Sequence, residues 1–159
     1  MPLFLVRHAK AGKRSKWLED PANTDDLKRP LDNKGTLQAV ALADRLSDFA
    51  PPQLLSSPYI RCMQTLEPLG ATLAISVIAD ERLAENNPFE PILELLEGCP
   101  DNSVLCSHGD MIPMVVEALE RRGMVITGMR DSRKASVWVL ERQNGVIARG
   151  HAWPPPTID

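Results

Sequence analysis

Short apolar runs alternate along this chain with longer segments in which apolar side chains recur at helical spacing. The runs predict buried strands at 3–6, 54–56, 74–78 and 103–106, and a terminal strand pair at 135–140 and 146–149. The segments at helical spacing predict helices at 35–49, from 57 onward, at 91–97 and at 111–122. Because strands and helices alternate, the sequence predicts an α/β fold, a three-layer α/β/α sandwich with a mostly parallel central sheet.

The helix that follows the second strand has a sequence typical of a helix start. Ser57 offers an N-cap hydroxyl and Pro58 suits the first helical position, so Arg61 is predicted to lie in the first turn. Pro68 is expected to end or kink this helix. A long polar stretch, 9–34, precedes the first helix, and loops of this length are usually functional or mobile.

Three polar segments follow predicted strands directly. They are Arg7 with His8, the segment 57–61, and the segment 107–109 with His108 at its centre. The carboxyl ends of parallel strands meet at one edge of a sheet, which is where ligands bind in such folds. The planar fork of arginine suits phosphate oxygens, and a neutral imidazole can attack phosphorus. A lone histidine is more often a satisfied core side chain, so this hypothesis needs the support of further motifs.

The composition is that of an ordinary globular protein. The chain has 159 residues, 43% apolar and 25% charged, so neither a disordered chain nor a coiled coil fits. We expect a single domain over 1–159, with an extended tail over 150–159. Eighteen basic and twenty-one acidic residues give a net charge of −3, so we expect no nucleic-acid partner.

Basic residues are nevertheless concentrated in two segments. Residues 1–18 carry no acidic side chain and contain Arg7, Lys10, Lys13, Arg14 and Lys16. A second cluster contains Arg121, Arg122, Arg130, Arg133 and Lys134. These segments either concentrate positive potential for a small anion or are solvated charged loops.

The cysteines and the N-terminus bear on the compartment. Cys62, Cys99 and Cys106 are odd in number and lack CxxC spacing, which indicates free thiols in a reducing compartment. The N-terminal segment lacks the pattern of a signal peptide, and no apolar run approaches the roughly 18 residues that a membrane span needs. We expect a cytoplasmic protein that has no membrane partner.

Several well-known catalytic motifs are missing from the sequence. His8 and His108 stand alone, without HExxH or paired Cys/His spacing, so no metal is expected. The segment 11–14 lacks the first glycine and the final Ser/Thr of a phosphate-binding P-loop, and there is no G-x-S-x-G elbow. The remaining chemistry is that of histidine and arginine, with no cofactor.

Five segments, in order, carry a resemblance to a known family. They are LVRHAKAG at 5–12, RPLDNKG at 29–35, LLSSPYIRCMQT at 54–65, RLAE at 82–85 and VLCSHGD at 104–110. Together they resemble the histidine phosphatase superfamily, also called phosphoglycerate mutase-like. The chain looks most similar to the short SixA-type phosphohistidine phosphatases and to the phosphatase half of some MutT-type proteins. The resemblance covers most of the chain and implies a phosphoglycerate mutase-like fold.

The resemblance also implies roles for individual residues. His8 would be the nucleophile that becomes phosphohistidine, while Arg7 and Arg61 would hold the phosphoryl oxygens. His108 would be the fourth residue of the pocket, in its protonated form, and Gly109 would let the backbone approach closely beside it. Cationic donors arranged around the equatorial oxygens are the main requirement of phosphoryl transfer.

Other motif residues are assigned less directly. Glu85 matches the acid that protonates the leaving group and later activates water, although acidic side chains are common in this loop. Ala9 departs from the glycine that often follows the motif histidine. Arg29 is interpreted as a structural ion pair of the long loop, and Ser57 as an N-cap first and a site residue second.

The sequence leaves the role of the basic residues in two loops open. Lys10, Lys13 and Arg14 have no clear counterpart in the family and could supply a further phosphate contact. The residues of the later loop either line the mouth of the pocket or are solvated; they are Arg130, Arg133, Lys134 and Ser136.

The leading hypothesis is a metal-independent phosphatase that acts through a phosphohistidine intermediate. Its substrate would be a phosphohistidine-bearing protein or a small phosphomonoester. One alternative is a catalytically silent module that binds phosphate or a phosphoprotein on the same fold. Another is a nucleotide-directed phosphohydrolase, but Tyr59 is the only aromatic candidate for base stacking near the motifs, since Trp17 lies in the long loop.

Overall fold

The computed structural model describes residues 1–158. The helices are α1 (Arg14–Trp17), α2 (Asn33–Leu46), α3 (Ile60–Leu73), α4 (Glu90–Gly98) and α5 (Ile112–Arg121). The strands are β1 (Pro2–Arg7), β2 (Leu54–Ser56), β3 (Val77–Ala79), β4 (Val104–Ser107), β5 (Val125–Ile126), β6 (Val137–Gln143) and β7 (Val146–Trp153). Short 3₁₀ turns lie at Asp26–Lys28, Ser47–Phe49 and Glu81–Leu83.

All of these strands belong to one mixed sheet, in the order β3-β2-β4-β1-β6-β7-β5. The first four strands in this order run parallel, β6 is antiparallel to both of its neighbours, and β5 is parallel to β7. The mostly parallel sheet predicted from the sequence is therefore confirmed.

The sheet is covered by helices on both faces. Successive side chains of a strand point in opposite directions, so each central strand packs against both layers of helices. Leu3 and Leu5 of β1 pack with the buried residues of α4 and α5. Phe4 and Val6 pack with those of α2 and α3 on the other face. The three-layer α/β/α sandwich is confirmed.

The register of the parallel strands aligns their carboxyl ends. Arg7 of β1 is paired with Ser107 of β4, and Ser56 of β2 is paired with the adjacent Cys106. The residues that follow these strands therefore lie at the same level of the same edge, as predicted.

The start of α3 differs from the prediction. The helix begins at Ile60 with Tyr59 as its N-cap residue, rather than at Ser57 and Pro58. The Ser57 hydroxyl lies 2.8 Å from His108 Nε2 and accepts from the Tyr59 amide at 3.3 Å, so Ser57 closes a turn ahead of the helix. Arg61 still lies in the first turn. Pro68 does not end the helix, which continues to Leu73.

The strands differ from the prediction mainly at their ends. Residues 74–76 are not part of β3, because Ala74 adopts a left-handed conformation with φ 57° and caps α3. The edge strand β5 was not predicted. The tail proposed for 150–159 is wrong for 150–153, which form the end of β7. There Trp153 packs against Phe4 and Phe49, at ring-centroid distances of 5.6 and 5.9 Å.

The long polar stretch 9–34 contains regular structure that its composition does not reveal. Helix α1 and the 3₁₀ turn at Asp26–Lys28 lie within it, and Ala11 forms a β-bridge with Leu31. It ends at Asp32, whose carboxylate accepts the Gly35 amide hydrogen bond at 2.8 Å and caps α2. The helix therefore begins two residues before the predicted Gly35.

None of the helices described here is both long enough and apolar enough to cross a membrane.

Candidate active site

A cavity of about 1080 Å³ opens at the carboxyl edge of the parallel strands. It is bounded by the ends of β1 and β4, the first turn of α3, and the long loop 9–34. All six of the predicted site residues line it: Arg7, His8, Arg61, Glu85, His108 and Gly109.

His8 follows β1 and is 5% exposed. Its Nδ1 lies 2.8 Å from the Ala9 carbonyl oxygen, which can only accept a hydrogen bond, so Nδ1 carries the proton and Nε2 holds a free lone pair. Burial, together with the positive charges of Arg61 and Arg7, lowers the pKa of His8 to about 3. The ring is therefore a neutral base with Nε2 available for attack on an electrophile.

His108 follows β4 and is 1% exposed. Burial, together with the charges of His8 and Arg61, lowers its pKa to about 2. The expectation of a protonated His108 is therefore wrong for the unliganded site, because this ring sits among cations in a dry environment. A neutral ring can still donate one hydrogen bond.

Two contacts favour a proton on Nδ1 of His108. The Ser57 hydroxyl lies 2.8 Å from Nε2, to which it can donate while its oxygen accepts from the Tyr59 amide at 3.3 Å. Nδ1 faces Glu85 Oε2 at 3.6 Å and is buried without a hydrogen-bond partner within residues 1–158. Ser57 was predicted to be an N-cap first and a site residue second. In the structure it contacts His108, and Tyr59 is the N-cap residue.

The Arg7 guanidinium lies against Gly109. A Cβ atom at position 109 would be 2.5 Å from Arg7 Cζ, so only glycine leaves room for this side chain. The space that Gly109 leaves is thus filled by Arg7, and a close approach of the Gly109 backbone to a bound phosphate stays a prediction. Nη1 of Arg7 donates to the Ser132 carbonyl at 2.8 Å, while its buried Nε has no partner among the residues described.

Arg61 is 1% exposed and is held between two carboxylates. Its Nη1 lies 3.2 Å from Asp26 Oδ2, and its Nη2 lies 3.3 Å from Glu85 Oε1. The free backbone amides of the first turn of α3 add positive potential beside it. Nε of Arg61 is buried without a partner in the described part of the chain. Two arginines, each with a buried Nε donor that no acceptor satisfies, are a strong anion-binding arrangement.

Glu85 lines the cavity. From the sequence, its place in the site was implied only by the family resemblance. Its Oε1 lies 3.2 Å from Arg14 Nη2, and its Oε2 lies 3.6 Å from His108 Nδ1. The carboxylate is therefore close enough to the His8–His108 pair to exchange a proton with a group bound between the rings.

Asp26 is a site residue that the sequence analysis missed. Its carboxylate contacts Arg14, Arg29 and Arg61 at 2.7–3.2 Å. Burial raises the pKa of Asp26, but the hydrogen bonds from Arg29 and Arg14 and the charge of Arg61 outweigh it, so the net shift is downward. The pair of Arg29 with Asp26 is the structural ion pair predicted for the loop, and Arg29 also donates to the Gly12 carbonyl.

The basic residues of the loop after α5 were predicted either to line the mouth of the pocket or to be solvated, and both cases occur. Lys134 lines the cavity, whereas Arg130 and Arg133 form ion pairs with Glu120 and Asp131 at the surface. Among residues 1–158, no three His, Cys, Asp or Glu side chains are grouped as metal ligands would be.

The two buried histidines should make the stability depend on pH. Their lowered pKa values keep them neutral in the folded protein, while the unfolded chain takes up protons below about pH 6.5. Stability contributed by the neutral rings is then complete above that pH and is lost as the pH falls. Between about pH 7 and about pH 5 we expect a loss of about 2 kcal/mol per histidine. Urea unfolding across this range, which lies above the titration of carboxylates, measures it.

A matched pair of variants shows whether the buried histidines cause this pH dependence. His8→Asn should remove about half of the pH dependence, whereas His151→Asn, on β7 and outside the cavity, should preserve it. An unchanged pH dependence in His8→Asn would show that the folded protein protonates this ring like the unfolded chain.

Comparisons with known proteins show which family the chain belongs to. The profile of the Histidine phosphatase superfamily (branch 1) matches residues 3–90. The chain is 34% identical over 161 positions to the 8-oxo-(d)GTP phosphatase of Mycolicibacterium smegmatis. That match covers 97% of this chain and 48% of the relative, so the chain spans about half the relative's length.

Solved structures show the same fold. The protein histidine phosphatase SixA, in complex with tungstate, matches with a TM-score of 0.70 and 22% identity, over 96% of this chain and 94% of SixA. A mycobacterial glucosyl-3-phosphoglycerate phosphatase matches with a TM-score of 0.67 and 19% identity, over 98% and 99% of the two chains. With the family profile covering more than half of its length, the chain belongs to the histidine phosphatase superfamily.

Proposed function

We propose that this protein is a metal-independent phosphatase that forms a phosphohistidine intermediate on His8. The observation that carries the proposal is the state of the His8 ring: buried, neutral, and fixed by the Ala9 carbonyl in the tautomer that leaves Nε2 unprotonated. A nitrogen nucleophile in this state needs no general base to activate it.

The reaction has two steps. In the first, the Nε2 lone pair forms a bond to phosphorus while the bond to the leaving group breaks, and Glu85 supplies the proton that the leaving group needs. In the second, water attacks the phosphohistidine, Glu85 accepts a proton from the water, and the P–N bond electrons return to His8. Both steps are displacements at phosphorus, and no oxidant or metal takes part.

The surrounding donors fit the equatorial oxygens of a transferred phosphoryl group. Arg7 and Arg61 carry the positive charge, and His108 Nδ1 offers a buried N–H without requiring a charged ring. The donors are set by the fold before substrate arrives, so little reorganisation is needed in the transition state. Two structural neighbours were solved with the oxyanions tungstate and VO3, which supports an anion site here.

The substrate is proposed as a class: a phosphohistidine-bearing protein or a small phosphomonoester. Similarity of fold to SixA favours the former, and the position of Glu85 beside the reacting groups favours esters that need a proton donor.

The experiment that tests the mechanism is to trap the intermediate. The protein is mixed briefly with radiolabelled phosphoramidate and excess EDTA and then denatured in alkali. We expect label on the peptide that contains His8, stable in base and lost in acid, as expected for a P–N bond. Label that is stable in acid, or that requires a divalent ion, would contradict the proposal. Binding of phosphate without any label would indicate the silent module instead.

A nucleotide substrate is the second candidate, and a cleft beside the cavity favours it. This cleft, about 410 Å³, is walled by Trp17, Pro30 and Leu31 and shares Gly12, Lys13, Lys16, Arg29 and Asp32 with the catalytic cavity. In the sequence, Trp17 lies in the long loop away from the motifs, so its place beside the cavity is visible only in the structure. The Mycolicibacterium relative, by its name, acts on a purine nucleotide.

Stacking of a base on Trp17 predicts a substrate-selective effect. Trp17→Ala should weaken nucleotide binding about tenfold or more, since stacking on an aromatic ring contributes about 1–3 kcal/mol. Binding of inorganic phosphate should not change. Trp17→Phe is the control, because it keeps a stacking ring but loses the indole hydrogen bond to the Asp25 carbonyl. Equal loss in both variants would mean that Trp17 only supports the loop.

A further inference from the structure

A second cavity, of about 580 Å³, adjoins the catalytic one. The two share Arg7, Lys10 and Lys134. Lys34 and Arg133 also line the second cavity, and the segment 155–158 forms part of its wall. No acidic side chain lines it among residues 1–158.

Only some of the basic side chains at this cavity have an acidic partner within residues 1–158. Arg133 is paired with Asp131, and Lys10 lies 3.7 Å from Asp32. Lys34 and Lys134 have no ion-pair partner within residues 1–158. Burial lowers the pKa of Lys134, and the charges of Arg7, Arg29 and Lys10 lower it further. Clustering of cations in a protein with net charge −3 is unfavourable unless an anion offsets it.

Lys10 is held in place by its backbone rather than by its charge. Its amide donates to Gln38 Oε1, and its carbonyl accepts from the Asp32 amide, both at 3.0 Å. Gly35 of α2 packs so closely that a Cβ there would lie 1.9 Å from the Lys10 carbonyl oxygen. The side chain therefore starts from a fixed point between the two cavities.

Lys134 is fixed by a strained residue. Ala135 has a left-handed backbone, φ 68°, and its amide donates to the Arg7 and His8 carbonyls. A non-glycine residue pays a conformational cost in this region, and such strain tends to occur at functional sites. The hydrogen bonds of the Ala135 amide hold the adjacent Lys134 beside the end of β1, next to the nucleophile.

From this geometry we infer a second anion subsite, lined by Lys10, Lys34 and Lys134, that takes a second phosphate of the same small substrate. The inference rests on the proposed function, in which Arg7 and Arg61 already hold the reacting phosphoryl group. The volume is that of a small-molecule site, and the wall formed by 155–158 bounds it, which favours a compact bisphosphate or polyphosphate over an acidic peptide.

Direct binding of a matched pair of non-hydrolysable anions tests the subsite. Methylphosphonate carries one phosphoryl-like group, and methylenediphosphonate carries two. Titration calorimetry on the whole chain should show the diphosphonate binding about 10- to 100-fold more tightly, the range expected for one or two charge-assisted hydrogen bonds.

Two lysine variants make the test specific. Lys34→Gln should reduce the affinity ratio of the two anions several-fold, whereas Lys28→Gln, an exposed lysine that lines neither cavity, should leave it unchanged. Equal affinities in the parent protein, or equal losses in both variants, would overturn the inference. An acidic peptide that competes while the diphosphonate gains nothing would overturn it in favour of a protein partner. Because binding is measured without turnover, failure to label His8 would contradict the proposed function and leave the subsite standing.

Discussion

Replacement of His8 by asparagine is expected to lower kcat by at least about 10⁴-fold on every substrate, because it removes the nucleophile rather than a group that assists it. The radiolabelled intermediate should disappear with the activity. The effect should be as large for a phosphoramidate as for an ester, since both must react with the same nitrogen.

The variant is chosen to preserve the fold. The asparagine side chain can donate to the Ala9 carbonyl as the His8 ring does, so no buried acceptor loses its partner. His151→Asn makes the same chemical change on β7 and should retain full activity and labelling. Normal labelling of His8→Asn would assign the nucleophile elsewhere, with His108 the first candidate because its ring lies 5.4 Å from that of His8.

The residues at the strand ends could be predicted from the sequence because sheet geometry alone brings them together. Arg7 ends β1, and His8 and His108 directly follow β1 and β4, which are parallel and in register, so no knowledge of side-chain packing was needed. Arg61 lies in the first turn of the next helix and was found for the same reason. Each of these positions depends on short-range sequence and one topological rule.

The rest of the site depends on long-range folding that the sequence does not reveal. Arg14 lines the cavity, and Asp26 contacts Arg61, only because the stretch 9–34 folds back against α3 and Glu85. Its composition is that of a solvated loop, and the ion pairs that hold it have no periodic signal. The place of Trp17 beside the cavity has no sequence signal for the same reason.

Errors at element ends have similar causes. Ser57 has the preferred chemistry of an N-cap, but its hydroxyl bridges the Tyr59 amide and the His108 ring in a turn, and the helix begins at Ile60. The end of β7 was mistaken for a tail because its apolar residues are few. Trp153 is nevertheless fixed by Phe4 and Phe49, and by Arg45, whose Cζ lies 3.5 Å from the centroid of its ring.

The unliganded site already contains carboxylates where a phosphoryl dianion would place negative charge. Asp26 and Glu85 together satisfy the ends of the Arg61 guanidinium. An incoming dianion must therefore compete with Glu85 for Arg61, and it gains the buried donors that have no partner. Glu85 thus opposes binding of the anion while it assists the chemical step.

This dual position of Glu85 predicts opposite changes in binding and turnover for Glu85→Gln. The charge that competes for Arg61 is removed, so inorganic phosphate should bind several-fold more tightly. Turnover of alkyl phosphates should fall about 10²- to 10⁴-fold, because an alkoxide leaves poorly without a proton donor. Glu81→Gln, an exposed neighbour on the preceding 3₁₀ turn, should change neither quantity.

The loss of turnover should depend on the leaving group. Aryl phosphates need less protonation and should slow moderately, and phosphohistidine, which expels an imidazole, should slow least. The dependence of rate on leaving-group pKa should therefore be steeper in Glu85→Gln than in the parent. Uniform loss of turnover across the three substrate classes would restrict Glu85 to activating water in the second step. Weaker phosphate binding by Glu85→Gln would mean that the carboxylate holds Arg61 in position instead of opposing the anion.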